Sequence, residues 1–397
     1  MTTPIKIGYC LSLSGPLASN GRTARVAHEL WEESVNRRGG LLGRPVQMIC
    51  LDDETNPKLV ADLYKRLLDD EKVDLIIGGY GDNSVAPAMP LVMERKRYLV
   101  ALMALAVNAK LGYENYFAMI PTGPHPTEAL TEGFFELAAA QSPKPVSIGI
   151  LAADAPFSLG PVAGARQHAA RLGFRVDSEV RYPLSTTEFE PLVRELAKRV
   201  PDILFLCSYL KDSVGLLRAI DAVGLEPKLV GGAMIGPQNG SVKLELGPAL
   251  NGVVNYEYWL PAPSMMYPGV AELIAAYQTR AAAAGSDPLG YYVVPQAFAQ
   301  MQVVEQAIAG TGSLDDEQLA RYTREHVFKT VVGDVRFGPE GGWSEPRVLQ
   351  VQYQNITSHH VSDFTDERTQ PVVWPPALAS GSLLYPFARA KRPERRV

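Results

Sequence analysis

Strand-like and helix-like segments alternate along this chain in two successive series. Strands that alternate with helices over short connections form parallel sheets that are covered on both faces. Asn56 and Pro57 mark one helix start, with Asn as the N-cap and Pro at the first helical position. The predicted strands are residues 5–11, 46–51, 74–77 and 98–102 in the first series, and residues 146–151, 176–182, 203–207 and 229–232 in the second. The sequence therefore predicts an α/β fold with two doubly wound parallel-sheet lobes.

A segment rich in Pro and Gly at residues 120–126 and an aromatic segment at residues 256–261 predict two crossings between these lobes, and a third is predicted near residues 330–333. Two late strands, residues 334–337 and 348–353, follow the third crossing. We therefore predict that lobe 1 is residues 1–120 and 256–329, that lobe 2 is residues 121–255 and 330–364, and that residues 365–397 are an extended C-terminal tail. In doubly wound sheets, ligands bind beyond the carboxyl ends of the strands. We expect one ligand cleft between the lobes and a three-strand hinge that opens and closes it.

Charge and hydropathy exclude several partners. The 397 residues carry a net charge of −5, which provides no basic field for nucleic acid, and no apolar run is long enough to span a membrane. We expect neither a nucleic acid partner nor direct membrane insertion.

The first strand begins within a few residues of Met1, so we expect that a signal peptide has been removed, or that the protein is cytoplasmic. Cys10, Cys50 and Cys207 lie in apolar runs and are expected to be buried free thiols.

Two glycine-rich segments superficially resemble nucleotide-binding loops. In residues 15–21 five residues separate the two glycines, and Arg22 stands where a phosphate loop requires Lys. The Gly79-Tyr80-Gly81 turn follows the third strand rather than the first, and the third glycine of a dinucleotide fingerprint falls on Ser84. We therefore expect no nucleotide cofactor.

Acids and histidines also fail to form a convincing catalytic or metal-binding set. Asp52, Asp53 and Glu54 are consecutive at a strand end, where they are more often solvated or helix-capping than catalytic. His359 and His360 have no helical ligand spacing and are expected at the surface. We therefore expect no catalytic residue, no metal ligand and no cofactor.

Aromatic side chains at predicted strand ends and crossings are more informative. Tyr and Trp at such positions can pack on an apolar ligand while their polar tips orient it, although some of them pack the hinge instead. These residues are Tyr80, Phe157, Tyr209, Tyr256, Tyr258 and Trp259. We expect the last three to have a mainly structural role.

Four segments together resemble the leucine/isoleucine/valine-binding protein family, the type I periplasmic solute-binding proteins of ABC transporters. They are IKIGYCLSLSGPLASNG, NRRGGLLGRPVQMICLDDETNP, DLIIGGYGDNSVAPAMP and TVVGDVRFGPEGG. The resemblance implies a non-enzymatic protein that presents a small organic ligand to the membrane permease subunits of an ABC importer. It also implies a periplasmic location. A minority of such proteins are cytoplasmic ligand sensors, and this alternative remains open.

The resemblance also implies a set of ligand-binding positions. The turn after the third strand, which carries a hydroxyl in amino-acid binders, here has Asp82. A Thr expected after the fourth strand is missing, and the carboxylate that pairs with a ligand ammonium is replaced by Ala233 and Met234. The candidate residues are Asn20, Tyr80, Asp82, Asn83, Met103, Ala104, Leu105, Phe157, Tyr209, Ala233 and Met234.

These departures change the expected ligand. A buried ammonium without its carboxylate costs roughly 3–5 kcal/mol, so we expect that α-amino acids are not preferred unless Asp82 or Asp154 replaces the missing acid. The apolar substitutions favour a small aromatic or apolar carboxylate. An amide or urea-like molecule is the alternative ligand, and Asp82 argues mildly against a carboxylate at its own position, because two anions repel.

Overall fold

The computed structural model describes residues 3–391, and the chain divides into two compact units. Unit 1 comprises the residues up to Pro124 together with Met266–Arg347, and unit 2 comprises His125–Met265 together with the residues from Val348 onward. The chain therefore passes from one unit to the other three times, as the predicted three-strand hinge requires. No helix of the described residues is both long enough and apolar enough to cross a bilayer.

Strands and helices are numbered here in chain order. The strands are β1 (Ile5–Leu11), β2 (Val46–Asp52), β3 (Leu75–Ile76), β4 (Leu99–Ala101), β5 (Tyr116–Ala118), β6 (Ser147–Ala153), β7 (Arg175–Tyr182), β8 (Ile203–Ser208), β9 (Leu229–Met234), β10 (Val253–Glu257), β11 (Val327–Thr330), β12 (Gly333–Arg336), β13 (Leu349–Gln352) and β14 (Val372–Trp374). The helices are α1 (Ala18–Arg37), α2 (Pro57–Asp69), α3 (Asp82–Val85), α4 (Met89–Glu94), α5 (Pro126–Ala129), α6 (Glu132–Ala139), α7 (Pro156–Leu172), α8 (Glu190–Ala197), α9 (Leu210–Val223), α10 (Gly240–Leu246), α11 (Val270–Ala284), α12 (Val294–Thr311), α13 (Asp316–Glu325), α14 (Val361–Thr365) and α15 (Phe387–Lys391).

Unit 1 is built on a parallel sheet in the order β2-β1-β3-β4-β5. The strands β2, β1 and β3 pair directly, and β4 pairs with β5. Backbone hydrogen bonds join β3 to β4, because Gly78 N donates to Val100 O at 2.8 Å and Gly81 N donates to Leu102 O at 2.9 Å. Helix α1 packs against α11 and α12, which the chain adds only after it returns from unit 2.

Helix starts and faces in unit 1 follow the sequence signals. The Asn56 side chain accepts a hydrogen bond from Lys58 N at 3.1 Å and Pro57 begins α2, so the predicted N-cap is confirmed. The apolar face of α1, which includes Trp31 and Val35, is buried. Gly21 lets α1 approach β1 closely, since a Cβ there would stand 2.0 Å from Ser12 O.

Unit 2 contains a seven-stranded sheet in the order β14-β13-β10-β9-β8-β6-β7. The five strands β6 to β10 are parallel to one another. At one edge of the sheet, β13 pairs antiparallel with β10, and β14 pairs antiparallel with β13. All residues of β6 and β8 are buried, which explains why these strands are continuously apolar in the sequence. The five parallel strands have the same doubly wound order as those of unit 1.

In both units the strand order reverses beside the first strand of the series. The reversal lies between β1 and β3 in unit 1 and between β6 and β8 in unit 2. Loops that leave neighbouring strands in opposite directions at such a point create a crevice beyond the carboxyl ends of the strands. The residues that follow β1, β3, β6 and β8 are therefore the first candidates for ligand contact.

The predicted third crossing at residues 330–333 is wrong. Strands β11 and β12 form an antiparallel hairpin, and residues 331–332 are its turn. The Thr330 hydroxyl donates to Gly333 O at 2.7 Å within the turn, and Gly333 has the positive φ of 85° that glycine tolerates. Both strands belong to unit 1, and the chain passes into unit 2 only after Arg347.

Two other predicted boundaries also differ from the structure. Residues 256–265 belong to unit 2, because Tyr256 and Glu257 end β10 in its sheet. The C-terminal segment, defined as residues 365–391, is part of unit 2 rather than a separate extended tail, since β14 pairs with β13. Trp374 Nε1 donates to Glu136 Oε2 at 3.1 Å, and the Tyr385 hydroxyl donates to Pro143 O at 2.8 Å. Residues 392–397 of the predicted tail lie outside the described residues.

Candidate functional site

Three polar side chains form a buried hydrogen-bonded relay at the carboxyl edge of the unit 1 sheet. Asn20 lies in the first turn of α1, Tyr80 follows β3, and Tyr292 precedes α12. The Asn20 amide nitrogen donates to the Tyr80 hydroxyl oxygen at 2.9 Å, and the Tyr80 hydroxyl donates to Tyr292 Oη at 3.0 Å. The two rings meet edge to face, with centroids 6.2 Å apart. Burial raises the pKa of Tyr80 to about 12, so this phenol is neutral at ordinary pH.

Asp52 and Asp53 hold the loops of this edge in place by hydrogen bonds, whereas the sequence favoured solvated or helix-capping acids. Asp53 is buried and accepts hydrogen bonds from the hydroxyl of Ser12, at 2.5 Å, and from that of Ser84. Asp52 accepts from the backbone of Leu13 at 2.8 Å and from the Ser14 hydroxyl at 2.8 Å. Burial raises the pKa of Asp52, but its hydrogen bonds more than offset this effect and leave the pKa below its usual value. The two carboxylates therefore connect the loop after β1 and helix α3 to the end of β2.

Asp82 and Asn83 are the exposed members of the candidate site in unit 1. Asp82 Oδ1 accepts a hydrogen bond from Leu105 N at 2.8 Å, so this acid connects the turn after β3 to the segment after β4. Desolvation by the surrounding protein atoms raises the pKa of Asp82, and the Leu105 N–H only partly opposes that effect. Asp82 is thus a hydrogen-bond acceptor at this edge.

The segment after β4 gives this edge an apolar surface. Met103 and Ala104 are buried and Leu105 is half-buried. Met103 has a φ of 55°, a left-handed conformation that costs a non-glycine residue of the order of 1 kcal/mol. Backbone strain of this kind is concentrated at functional sites, which supports the assignment of Met103 to the candidate site.

Two aromatic rings meet at the carboxyl edge of the unit 2 sheet. Phe157, near the start of α7, and Tyr209, which follows β8, lie edge to face with centroids 5.9 Å apart. Phe157 N donates to the Tyr209 hydroxyl oxygen at 3.2 Å. The Asp212 carboxylate holds the backbone at Tyr209 in place, because it accepts hydrogen bonds from Tyr209 N at 2.9 Å and from the Tyr182 hydroxyl at 2.8 Å. The structure therefore brings these two predicted residues together as one half-buried aromatic surface.

Ala233 and Met234 end β9 at the same edge, and both are fully buried. The Asn255 side chain accepts from Met234 N and donates to Met234 O, each at 2.9 Å. Asn255 thus satisfies the backbone of Met234 from the neighbouring strand β10. Tyr256, Tyr258 and Trp259 are also buried, and Trp259 Nε1 donates to Met265 O at 2.9 Å, which agrees with a mainly structural role for this group.

The described residues contain no group of three or more His, Cys, Asp or Glu side chains that could hold a metal ion. His359 Nδ1 lies 2.8 Å from Leu244 O and both His359 and His360 are exposed, as expected. Cys10 and Cys207 are buried free thiols, whereas Cys50 is only half-buried.

Sequence reasoning missed several residues that shape the candidate site. Tyr292 falls inside a helical pattern in the sequence, and only the structure places its hydroxyl against Tyr80. Ser84 and Asn255 have no local sequence signal, because their partners Asp53 and Met234 are distant in the chain.

Comparison with known proteins gives concordant matches over most of the chain. A family model described as "Periplasmic binding protein" matches residues 4–354. The chain is similar to the leucine-, isoleucine-, valine-, threonine- and alanine-binding protein of Pseudomonas aeruginosa, with 24% identity over 85% of this chain and 86% of the relative.

Two solved structures show the same fold. One is a solute binding protein of an ABC transporter from Rhodopseudomonas palustris in complex with 3,4-dihydroxybenzoic acid, with 18% identity, a TM-score of 0.74, and coverage of 89% of this chain and 94% of that chain. The other is a branched-chain amino acid transporter substrate binding protein from Streptococcus pneumoniae in complex with isoleucine, with 13% identity, a TM-score of 0.75, and coverage of 97% and 100%.

Proposed function

This chain belongs to the periplasmic binding protein family, and from that membership we propose that it is the solute-binding protein of an ABC importer of the branched-chain or hydrophobic amino acid type. The observation that supports the proposal is the doubly wound parallel sheet present in both units, because sheets of this kind bind ligands beyond the carboxyl ends of their strands. In this proposal the protein is not an enzyme: it binds one small organic ligand and presents it to membrane permease subunits. The proposed location is the periplasm.

We propose a small aromatic or apolar carboxylate as the ligand. The edge-to-face rings of Phe157 and Tyr209 suit a flat apolar body, and Met103 and Leu105 extend the apolar surface in unit 1. Ala233 lacks the carboxylate that would neutralise a ligand ammonium, and an unpaired buried ammonium costs several kcal/mol. The aromatic acid in the Rhodopseudomonas relative supports this choice, whereas the isoleucine in the Streptococcus relative represents the competing class.

The test is a thermal-shift and calorimetric screen of benzoate, 3,4-dihydroxybenzoate, leucine, benzamide and urea. A ligand that binds the native state stabilises it by about 2.7 kcal/mol at one hundred times its dissociation constant. We expect the two aromatic acids to raise the melting temperature and leucine to have little effect. A strong shift with leucine would contradict the proposed ligand class, and no shift with any compound would contradict the proposed function.

A pair of matched variants localises the binding. Phe157→Ala removes a half-buried ring at the candidate site, and Tyr322→Ala removes a half-buried ring that stacks on His326 elsewhere in unit 1. We expect about tenfold weaker binding of an aromatic acid by Phe157→Ala, since a buried aromatic contact contributes of the order of 1–2 kcal/mol. Tyr322→Ala should bind like the parent protein. Equal affinities for Phe157→Ala and the parent would exclude Phe157 from the ligand site.

A ligand-sensing regulatory protein of the same fold, with an amide or urea-like ligand, is the second candidate. Asp82 is the observation that favours it, because its exposed carboxyl group at the unit 1 edge suits an N–H donor better than an anion. Binding of benzamide or urea in preference to both acids would support this second candidate.

A further inference from the structure

A glutamine in helix α12 bonds the ends of two strands in unit 1. Gln300 is fully buried, and its amide nitrogen donates to Gly78 O at 2.9 Å and to Val100 O at 2.7 Å. Its Oε1 lies 3.0 Å from His28 Nε2 in α1. Because the amide nitrogen has two protons and meets two carbonyl oxygens, the orientation of this amide is fixed. Gln300 therefore connects the carboxyl ends of β3 and β4 to the two helices.

The two carbonyls lie at an irregularity between β3 and β4. Val100 O accepts from Gly78 N at 2.8 Å, and Leu102 O accepts from Gly81 N at 2.9 Å, so the chain advances two residues on the β4 side but three on the β3 side. A regular parallel ladder advances equally on both sides. One extra residue of this kind is a β-bulge, a feature that is frequent next to active sites and that redirects the residues after it.

The bulge leaves one carbonyl outside the ladder, and Gln300 donates to it. In a regular ladder Gly78 O would accept from Leu102 N, but Leu102 N donates to Gly79 O at 3.3 Å. The Gln300 amide takes its place at Gly78 O. Gly79 cannot move towards β1, since a Cβ there would stand 2.1 Å from Cys10 O. A buried carbonyl without a donor is costly, so the bulge depends on Gln300.

The bulge lies directly before the turn that carries the candidate ligand residues Tyr80, Asp82 and Asn83. Asp82 Oδ1 accepts from Leu105 N at 2.8 Å, so this turn is also connected to the apolar segment after β4. Groups that contact a ligand must be held within about 0.5 Å of the productive geometry by the residues that support them. A change in the bulge would displace the turn and the segment together.

We propose that Gln300 is a positioning residue for the ligand, which sets the position of residues 80–83 by holding the bulge at Gly78 and Gly79. His28 in turn fixes the orientation of the Gln300 amide. This inference rests on the proposed function and adds a residue that acts on the ligand through the turn rather than by contact.

The test compares two glutamine variants of the same helix. Gln300→Met keeps the length of the side chain but removes the donors to Gly78 O and Val100 O. Gln302→Met is the matched control, because it removes a bond of the same kind, from Val331 N to Gln302 Oε1 at 2.8 Å, beside the turn of the β11–β12 hairpin. The dissociation constant of 3,4-dihydroxybenzoate is measured by calorimetry at a temperature at which urea denaturation shows each variant to be folded.

We expect Gln300→Met to weaken binding of the acid by about fivefold to thirtyfold, and Gln302→Met to bind it like the parent. The amide protons of Gly81 and Leu102 should also exchange about tenfold faster in Gln300→Met than in Gln302→Met, because their bonds lie at the bulge. A purely structural role would lower stability in both variants and change their affinities equally. Equal affinities of the two variants would therefore overturn the inference.

A second variant decides the question if Gln300→Met does not fold. His28→Leu removes the donor to Gln300 Oε1 but leaves both amide protons of Gln300 in place. We expect a smaller loss of affinity, of about twofold to fivefold. An unchanged affinity would then contradict the inference.

The remaining outcomes separate the inference from the proposed function. If the parent binds the acid and Gln300→Met binds it equally well, the inference is wrong and the function stands. If the parent binds leucine rather than the acid, the ligand class is wrong, and the same comparison of variants with leucine decides the inference. If the parent binds neither compound, both proposals fail.

Discussion

His28 has a defined tautomer, because its partner leaves only one choice. Gln300 donates its amide protons to Gly78 O at 2.9 Å and Val100 O at 2.7 Å, so its Oε1 accepts, and His28 Nε2, 3.0 Å away, must carry the proton. His28 Nδ1 is then an acceptor, and it is buried without a partner. A second proton at Nδ1 would be buried without an acceptor, and burial lowers the pKa of His28 to about 4.

This lowered pKa predicts a loss of stability in acid. Between the unfolded pKa near 6.5 and the folded pKa of about 4, the unfolded state binds more protons, so the free energy of unfolding falls as the pH falls. We expect His28 to account for a loss of about 2–3 kcal/mol between pH 7 and pH 4.5, measured by urea denaturation. His28→Gln should lose this part of the pH dependence, whereas His326→Gln, at an exposed histidine, should retain it. Identical profiles for His28→Gln and the parent would contradict the assignment.

Asp82 should oppose the binding of an acid. Its carboxyl group lies at the unit 1 edge where we propose that the ligand binds, and it contributes to the raised pKa of Tyr80. Asp82→Asn keeps an acceptor for Leu105 N but removes the charge, so at pH 7 we expect about two- to fivefold tighter binding of 3,4-dihydroxybenzoate. Asn83→Asp adds a charge at the adjacent exposed position and should weaken binding by a similar factor. Calorimetry at low salt checks both, and weaker binding by Asp82→Asn would contradict the repulsion.

Among the elements, the contact between α1 and β1 depends on one glycine. Gly21→Ala would place a Cβ 2.0 Å from Ser12 O, a backbone atom that cannot move without displacing the end of β1. We expect a loss of about 2–4 kcal/mol in the free energy of unfolding. The control is Gly160→Ala in α7, where the nearest atom is a Thr127 methyl at 3.3 Å and helix propensity favours alanine by up to about 1 kcal/mol. Equal stabilities of the two variants in guanidinium denaturation would refute the close contact.

Elements with strong periodicity could be predicted from the sequence, and those that depend on distant partners could not. The predicted strand at residues 203–207 corresponds to β8 (Ile203–Ser208), because a fully buried parallel strand is continuously apolar. The hairpin of β11 and β12 was missed because its turn, with Gly333, resembles a domain crossing. The short strands β5 and β14 have only three residues each, too few for a visible pattern.

In the candidate site, too, local sequence patterns could be predicted and contacts between distant residues could not. Phe157 and Tyr209 could be placed near each other because both follow parallel strands of one sheet. Tyr292 could not be placed beside Tyr80, since the two residues are 212 positions apart and no local signal joins them. The contribution of Asn255 to the end of β9 is likewise a pairing between strands that sequence periodicity does not reveal.

For the whole molecule, stability should be distributed between two units with separate cores. Trp374 lies against Gly133 in α6, and its indole nitrogen bonds Glu136, so its effects should remain in unit 2. We expect Trp374→Ala to destabilise unit 2 by about 2–3 kcal/mol and to accelerate hydrogen exchange in α6, β13 and β14, while β1 to β3 keep the parent rates. Trp343→Ala, at a buried residue of unit 1, should give the reciprocal pattern. If either variant accelerated hydrogen exchange equally in both units, the two units would share a single cooperative core instead.

The discontinuity of both units has a consequence for synthesis on the ribosome. Helix α1 packs on α11 and α12, which belong to Met266–Arg347, so the first 124 residues leave the exit tunnel without the helices that cover one face of their sheet. At roughly 5–20 residues per second, the 141 residues between Pro124 and Met266 take about seven to thirty seconds to translate. Throughout that interval the nascent unit exposes apolar surface. We therefore expect holding chaperones to bind the nascent chain more than its final stability would indicate.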